Sequence, residues 1–278
     1  MMRAATRAAL VIAEAELRGA LAGRLVQGLG ALFALLAVGI AVAGLAASGQ
    51  LLVQGFTRTA VSLLTLALYF LPLIGLVLGA HAFGAEDGGA ELLLAQPVGR
   101  GTVLLGRCLG LAATLLLIAA MGFGLAGVLV AVGAGTAGFG GYLLIAGGSS
   151  VVGFAGLAIG VLLGVRTRRR VTAVGMALAA WMVLAVLFDF AAIAVLQFTG
   201  DGEPGPLLLL LLVANPIDGM RALGLVGLGA DVLLGPTGAA LSKMLAPSSG
   251  ALLVAAALLA WCGGPLAYAA RLYGRRDF

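Results

Sequence analysis

Charge is scarce in this sequence. Of its 278 residues only 10% are charged and 62% are hydrophobic, whereas a soluble domain carries about 25% charged and about 45–50% apolar residues. So little charge cannot clothe a water-exposed surface, and a mean hydropathy of +1.18 agrees. A soluble enzyme is excluded, which leaves the multi-pass membrane proteins. Histidine and cysteine are nearly missing: His81, Cys108 and Cys262 are the whole supply. Haem-binding subunits and zinc-dependent intramembrane proteases need several such ligands at set spacings. Lysine occurs once, at Lys243, and no G-x-x-x-x-G-K-[ST] segment exists to cradle nucleotide phosphates, so this chain does not itself hydrolyse ATP by that mechanism. Glycine is plentiful, at 45 residues, but a GC-rich genome produces that bias without functional demand.

Six stretches are long and apolar enough to cross a bilayer, near 25–47, 60–83, 109–133, 142–165, 171–198 and 250–270, each meeting the requirement of about 20 residues. The first 24 residues hold Arg3, Arg7, Glu14, Glu16, Arg18 and Arg24. That segment is too long and too acidic for the n-region of a signal peptide, so the first span is expected to be retained. The arginines then fix the topology. The N-terminal segment, the 84–108 loop, the R-T-R-R-R run at 166–170 and the tail hold 13 of the 16 basic residues, against Arg58, Arg221 and Lys243 on the other side. By the positive-inside rule both termini are cytoplasmic. The formal net charge of +5 is therefore a signal of orientation, and no nucleic-acid partner is expected.

Within the first segment, Arg3, Arg7, Glu14 and Arg18 share one helical stripe, and Glu14 and Arg18 are spaced to pair. Residues 1–24 form either an interfacial helix on the cytoplasmic surface or a plain extension of the first span. The longest non-spanning region, 199–249, lies on the extracytoplasmic side. It contains an apolar run, Leu207 to Ala214, too short to cross, and then N-P-I-D. There Asn215 is placed to cap a helix, Pro216 sits at its first position, and Asp218 and Arg221 are spaced for an ion pair. The four glycines of 216–229 make a poor helix in water. A second short helix is expected from Pro236 to Leu245. The pair is read as re-entrant or interfacial, its ends covered by protein, and a large soluble domain is excluded there.

The 84–107 segment reads G-A-E-D-G-G-A-E-L-L-L-A-Q-P-V-G-R-G-T-V-L-L-G-R. Acidic Glu86 and Asp87 precede a flexible Gly88-Gly89, then Glu91-Leu92-Leu93-Leu94-Ala95 forms a short helix that Pro97 ends. Leucines on such a helix suit docking into a groove of a soluble partner. The other reading is a polar connector that happens to include leucines. This pattern resembles the loop between spans two and three of type-2 ABC permeases, at Glu86, Asp87, Gly89, Leu92, Leu93, Leu94, Pro97, Arg100 and Gly106. Ala90 and Gln96 depart from the usual Thr and Tyr or Asn. The resemblance extends to the N-terminal E-L-R at 16–18, the six spans, the helical re-entry before the last span and the basic tail. Within the family, F-A-L-L-A-V-G-I-A at 33–41, A-A-S-G-Q-L at 46–51, F-D at 188–189 and N-P-I-D-G-M-R at 215–221 are similar to the Nos-type permeases.

The resemblance implies an all-α polytopic membrane protein of type-2 exporter form, a single transmembrane domain over 1–278 in the bacterial inner membrane. Residues 84–101 would be the coupling loop, with Glu86, Asp87, Gly89, Glu91, Leu92, Leu93, Leu94, Pro97 and Arg100 meeting the ATPase. Six spans make a half-transporter, so a homodimer with two copies of a cytoplasmic ABC ATPase is implied, the ATP and Mg residing on that partner. Nos-type permeases serve maturation of nitrous oxide reductase, a periplasmic copper enzyme, together with a periplasmic β-helical protein involved in copper-site assembly. Asn215, Pro216, Asp218 and Arg221 are candidates for contact with that partner or for a structural role.

Three features remain open. Asp189 is the only acidic residue well inside a span, and lipid exposure there is costly; it makes a structural or gating hydrogen bond, anchors span five to the loop helices, or contacts substrate. Gly156, Gly160 and Gly164 line one face of span four and allow close helix contact, with dimerisation as one reading and composition bias as the other. Cys108, Cys262, Met121, Met176, Met182, Met220 and Met244 form no C-x-x-C, M-x-x-M or M-x-x-x-M pair, so no copper site is expected despite the preference of Cu(I) for sulfur. The competing functions are a type-2 exporter of a lipid, drug or peptide, and a proton-coupled secondary transporter using Asp189 and His81. Six unrepeated spans and the coupling-like loop disfavour the latter. An intramembrane serine protease is disfavoured further, because G-G-S-S at 147–150 is not G-x-S-G and no histidine lies in span four or five.

Overall fold

The computed structural model describes residues 2–47, 52–84, 99–135, 138–167, 169–197, 205–230, 236–245 and 248–275. In order, its helices are α1 (Met2–Ala22), α2 (Arg24–Ala47), α3 (Leu52–Phe83), α4 (Arg100–Ala134), α5 (Phe139–Arg166) and α6 (Arg170–Met182). A π turn, Val183–Leu187, leads into α7 (Phe188–Gln197), followed by α8 (Gly205–Ala214), α9 (Pro216–Gly227), α10 (Pro236–Leu245) and α11 (Ser248–Arg275). Among the described residues, six helical stretches are long and apolar enough to span a membrane: those within α2, α3, α4, α5, α6–α7 and α11. The protein is an all-helical, multi-pass membrane protein, as its hydropathy requires. The third span begins at Arg100, nine residues before the hydropathy onset, because the polar first turns of α4 are held by protein contacts and need no apolar character.

The central pair is α3 and α5, which share the most extensive interface in the molecule. Between lipid-bathed helices the hydrophobic effect gives no net attraction, so close van der Waals contact must hold them. Glycine supplies it from both sides. A Cβ on Gly156 would lie 2.5 Å from the Pro72 carbonyl oxygen, and one on Gly160 2.3 Å from that of Leu76. Reciprocally, a Cβ on Gly75 would lie 2.3 Å from the Gly153 oxygen, and on Gly79 2.5 Å from the Val161 nitrogen. The small-residue ridge of span four is thus occupied within the chain and is not a surface for a second copy.

The N-terminal helix follows neither sequence reading alone. It is separated from α2 at Gly23, where Gln27 donates Nε2 to the Leu21 carbonyl at 3.0 Å and covers the end of α1. Its exposed side carries Arg7, Glu14 and Arg18, the last two paired, while Ala9 and Ile12 are buried. The buried side lies on the start of α4, where Gly106 and Gly110 leave room for Ala9, Ile12, Ala13 and Glu16.

Among the described residues, the region before the last span contains three helices rather than two. Asn215 begins α9 as expected, accepting the Ile217 N–H at 3.0 Å, with Pro216 in the first turn. The apolar run α8 is helical too, and it meets α9 at a bend of 118°. The helix paired with α9 is therefore α8, an apolar ten-residue helix that buried side chains hold in place. α10 joins them through Leu241 and Leu245, which pack with Leu212, Ala222 and Val254 of α8, α9 and α11.

Candidate functional site

A polar cluster lies where α3, the π turn, α7 and the bent pair meet. Its organiser is Asn215, which is fully buried at the vertex of the α8–α9 bend. Its side-chain oxygen caps α9, and its amide donates to the Leu184 carbonyl and to Asp218 Oδ2, both at 2.8 Å. The π turn explains the first of these donations. In an α-helix the Phe188 N–H would bond the Leu184 carbonyl, but here it bonds Val183. The i→i+5 step leaves a carbonyl that must be met inside the bundle, and Asn215 meets it.

Charge follows. Asp218 Oδ1 accepts from Arg221 Nη1 at 2.6 Å, the i,i+3 pair that the spacing predicts. The same nitrogen reaches Asp189 Oδ2 at 3.4 Å, so span five is anchored to α9 through its one acidic residue. Arg221 Nη2 donates to the Tyr69 hydroxyl at 3.2 Å, and the guanidinium stands 5.7 Å from that ring's centroid, within cation–π range. Trp181 completes the link from span five by donating Nε1 to the Tyr69 carbonyl at 2.9 Å. Pro72 in α3 brings no N–H to the Leu68 carbonyl, so the Trp181 bond supports the helix one residue from that gap. Two carboxylates face one guanidinium, a clustering that a membrane interior tolerates only with such mutual pairing.

The structure thus brings Asn215, Pro216, Asp218, Arg221 and Asp189 into one assembly. Tyr69, Trp181 and the Leu184 carbonyl belong to it and were missed. A backbone carbonyl leaves no mark in a sequence. Tyr69 and Trp181 did leave one, as polar-tipped aromatics in otherwise aliphatic spans, where such tips seek a partner.

A second cluster sits at the arginine-rich end of the bundle. Arg107 of α4 donates Nε to Glu16 of α1 at 3.0 Å and Nη2 to the Ala82 carbonyl of α3 at 2.6 Å. Its guanidinium also lies 4.6 Å from the Phe83 ring centroid. One side chain therefore joins α1, α3 and α4. Arg100 donates to the Gly274 carbonyl of α11 at 3.2 Å, and Phe83 stacks edge-on with Tyr273 at 6.1 Å. These contacts gather the starts or ends of α1, α3, α4, α5, α6 and α11 at one end, since Gly164 and Arg170 also approach Gly84. Of the residues predicted to meet an ATPase, Arg100 is in this cluster. Glu86, Asp87, Gly89, Glu91, Leu92, Leu93, Leu94 and Pro97 lie outside the described residues. The described flanks of their loop, Gly84 and Gly99–Arg100, are each tied to neighbouring helices. Glu16 was noted in sequence among the charges of the first segment and within E-L-R, without its partner. Among the described residues no three His, Cys, Asp or Glu side chains gather at metal-binding distance, and Met220 is buried against Gly148 as packing.

Six spans, a bent helix pair before the last of them and a braced, arginine-rich end define a polytopic permease. Residues 10–278 match the ABC-2 family transporter protein. The chain is 38% identical over 272 residues to the probable ABC transporter permease protein NosY of Pseudomonas aeruginosa, covering 95% of this chain and 97% of that protein. It is 35% identical over 287 residues to the probable NosY permease of Stutzerimonas stutzeri, with the same coverage. The chain belongs to the ABC-2 transporter family and is a permease subunit of an ABC transporter. Membership implies an ATPase partner and a dimeric arrangement.

Proposed function

We propose that this chain is the permease of a Nos-type ABC transporter, coupling ATP hydrolysis on a separate cytoplasmic ATPase to a periplasmic partner in copper-site assembly of nitrous oxide reductase. The observation that carries this reading is the likeness, over 95% of the chain, to two permeases named NosY. The assembly is a homodimer with two ATPase copies, in the bacterial inner membrane, with both termini cytoplasmic. The convergence of the arginine-bearing segments at one end supports that orientation. ATP and Mg belong to the ATPase. The β-helical copper-assembly protein is the periplasmic partner, facing the end that bears α8–α10.

The geometry suits a mechanical relay. The loop at 84–101 joins α3 to α4, and Arg107 ties the end of α3 to α4 and, through Glu16, α4 to α1. α3 then carries Tyr69, which touches Arg221 of α9. A push on the loop would therefore travel along α3 to the bent pair through protein contacts, a relay that needs no continuous cavity. Discrete two-state elements are what such coupling requires, and the π turn under Asn215 is a candidate for one.

The test is to co-express the chain with its cognate ATPase and replace Leu92, Leu93 and Leu94 by Asp. Loss of co-purification and of permease-dependent ATP turnover is expected; unchanged values overturn the coupling assignment. In a strain lacking the permease, complementation with the wild-type chain restores copper to nitrous oxide reductase. Failure to restore it, with an active ATPase complex, would point instead to a general exporter.

A further inference from the structure

Asp218 and Asp189 share more than a common cation. One guanidinium nitrogen, Nη1 of Arg221, serves both, at 2.6 Å and 3.4 Å, and the two carboxyls lie within hydrogen-bonding reach of each other. An ionised carboxylate only accepts hydrogen bonds, so a bond between these two requires a proton on one of them. Charge leads to the same answer. With both ionised, two carboxylates and one guanidinium leave the cluster with one net negative charge. Water reaches little of it, the side chains of Asp218, Arg221 and Asp189 being 14%, 27% and 33% exposed. Like charges held this close in a poorly solvated site favour protonation of one.

The surroundings leave this imbalance in place. α9 packs against α3, α5, α8, α10 and α11. From α3 comes Tyr69, whose hydroxyl accepts from Arg221; Arg58 lies several turns before it. On α5, Tyr142 donates to the Phe123 carbonyl, and on α11 Cys262 lies against the Val151 carbonyl. α8 has no titratable side chain, and Lys243 of α10 is exposed. His81, Arg166, Arg271 and Arg275 belong to the arginine-rich end. Among the described residues, the charges acting on Asp218 are those of Arg221 and Asp189. α9 lies outside the six spans, and burial pushes the Asp218 carboxyl up to about 6; Arg221 opposes that rise and Asp189 adds to it.

We propose that Asp218 and Asp189 hold one proton between them, and that this proton latches α9 to the fifth span. Protonated Asp218 donates its O–H to Asp189, while its two oxygens still accept from Asn215 and Arg221. Loss of the proton to the medium at that end removes the O–H bond and leaves two carboxylates repelling each other across a single guanidinium. The bent pair is then held to the fifth span by Arg221 and by the bond from Asn215 to Leu184. A carboxyl raised in the folded chain binds its proton more tightly there than in the unfolded chain. The latch therefore contributes most below the ordinary carboxylate range, and its contribution is lost as pH rises through about 6. It reads acidity on one side, needs no proton to cross, and holds whatever the transporter serves.

The test is infrared difference spectroscopy and thermal unfolding of the full chain in detergent, from about pH 5 to about pH 8, on wild type, Asp218→Asn and Asp189→Asn. Wild type should show a protonated-carboxyl band that disappears as pH rises through about 6. Its melting temperature should be about 2–4 °C lower at the alkaline end than at the acidic end. Asp218→Asn should lack the band. Asp189→Asn should shift its disappearance to lower pH by about one unit or more, because the negative neighbour is gone. Both variants should lose most of the melting difference. That difference is read within each variant, so a lower overall stability does not obscure it, and Asp189→Asn decides if Asp218→Asn does not fold. A band absent from wild type, surviving in Asp218→Asn or unmoved in Asp189→Asn overturns the shared proton. An equal melting difference in all three proteins overturns the latch.

Discussion

The side-chain amide of Asn215 donates to the main-chain carbonyl of Leu184 at 2.8 Å, joining the vertex of a helix bend to an irregular turn in another span. Each feature needs the other. Without the π turn that carbonyl would be satisfied within its own helix, and without Asn215 it would be an unmet acceptor in the bundle interior. The same side chain caps α9 and holds Asp218, so all its hydrogen-bonding atoms are engaged.

Asn215→Ala is expected to destabilise the fold by about 1–3 kcal/mol, the cost of a lost cap together with unsatisfied buried groups. Asn215→Asp retains the cap but can no longer donate to Leu184, and it places a carboxylate beside Asp218. It should be at least as damaging as Ala. Thermal unfolding in detergent checks the order, and a milder effect for Asp would contradict this account.

Arg221 balances two carboxylates, so its removal should cost more than removal of the whole set. Arg221→Ala leaves Asp189 and Asp218 facing each other. The side chains of the Arg221–Asp189 pair are 27% and 33% exposed, so the penalty should fall below the 3–5 kcal/mol of a fully buried broken pair, at about 2 kcal/mol. The triple variant Asp189→Asn, Asp218→Asn, Arg221→Gln should recover much of that loss. Unfolding measurements on the two variants decide it.

Glu16 and Arg107 are 21% and 15% exposed, and their attraction should resist salt better than the exposed Glu14–Arg18 pair. A double-mutant cycle with Glu16→Gln and Arg107→Gln is expected to give a coupling of about 1 kcal/mol or more, against about 0.3–0.5 kcal/mol for the i,i+4 pair on α1. Equal couplings at 0.5 M salt would remove the brace from the description of this end.

Glycines of the α3–α5 seam should tolerate no side chain. Gly160→Ala puts a methyl 2.3 Å from a carbonyl oxygen and should cost at least about 1–3 kcal/mol as overpacking. Gly28→Ala and Gly39→Ala, with nothing within 4 Å, should be neutral or slightly stabilising through helix propensity. Folded yield and melting temperature of the three variants test whether these glycines differ in role.

The sequence disclosed what depends on local or compositional signals. Span number and the all-helical class follow from runs of apolar residues, and the start of α9 follows from Asn215-Pro216 because capping acts within three residues. The Asp218–Arg221 pair was legible for the same reason. Tyr69 lies 152 positions from Arg221, and nothing in a single sequence ties such residues together. The glycines posed a different difficulty. Those of the seam and those facing open space look identical in a composition already rich in glycine, and only the neighbour that each one touches separates them. α8 was undervalued because its uniform apolarity has no helical face to detect.

The interlocked backbones of α3 and α5 also constrain how the molecule can move. Side chains at an ordinary helix interface can change rotamer and let two helices slide. Where main chain rests on main chain there are no such hinges, and a slip of even one residue would drive Cα atoms into carbonyls. α3 and α5 must therefore travel as a single stiff strut during any transport cycle. Among the described residues, the lightly buried fifth span, whose π turn already interrupts its ladder, and the joint at Gly23 have no such lock.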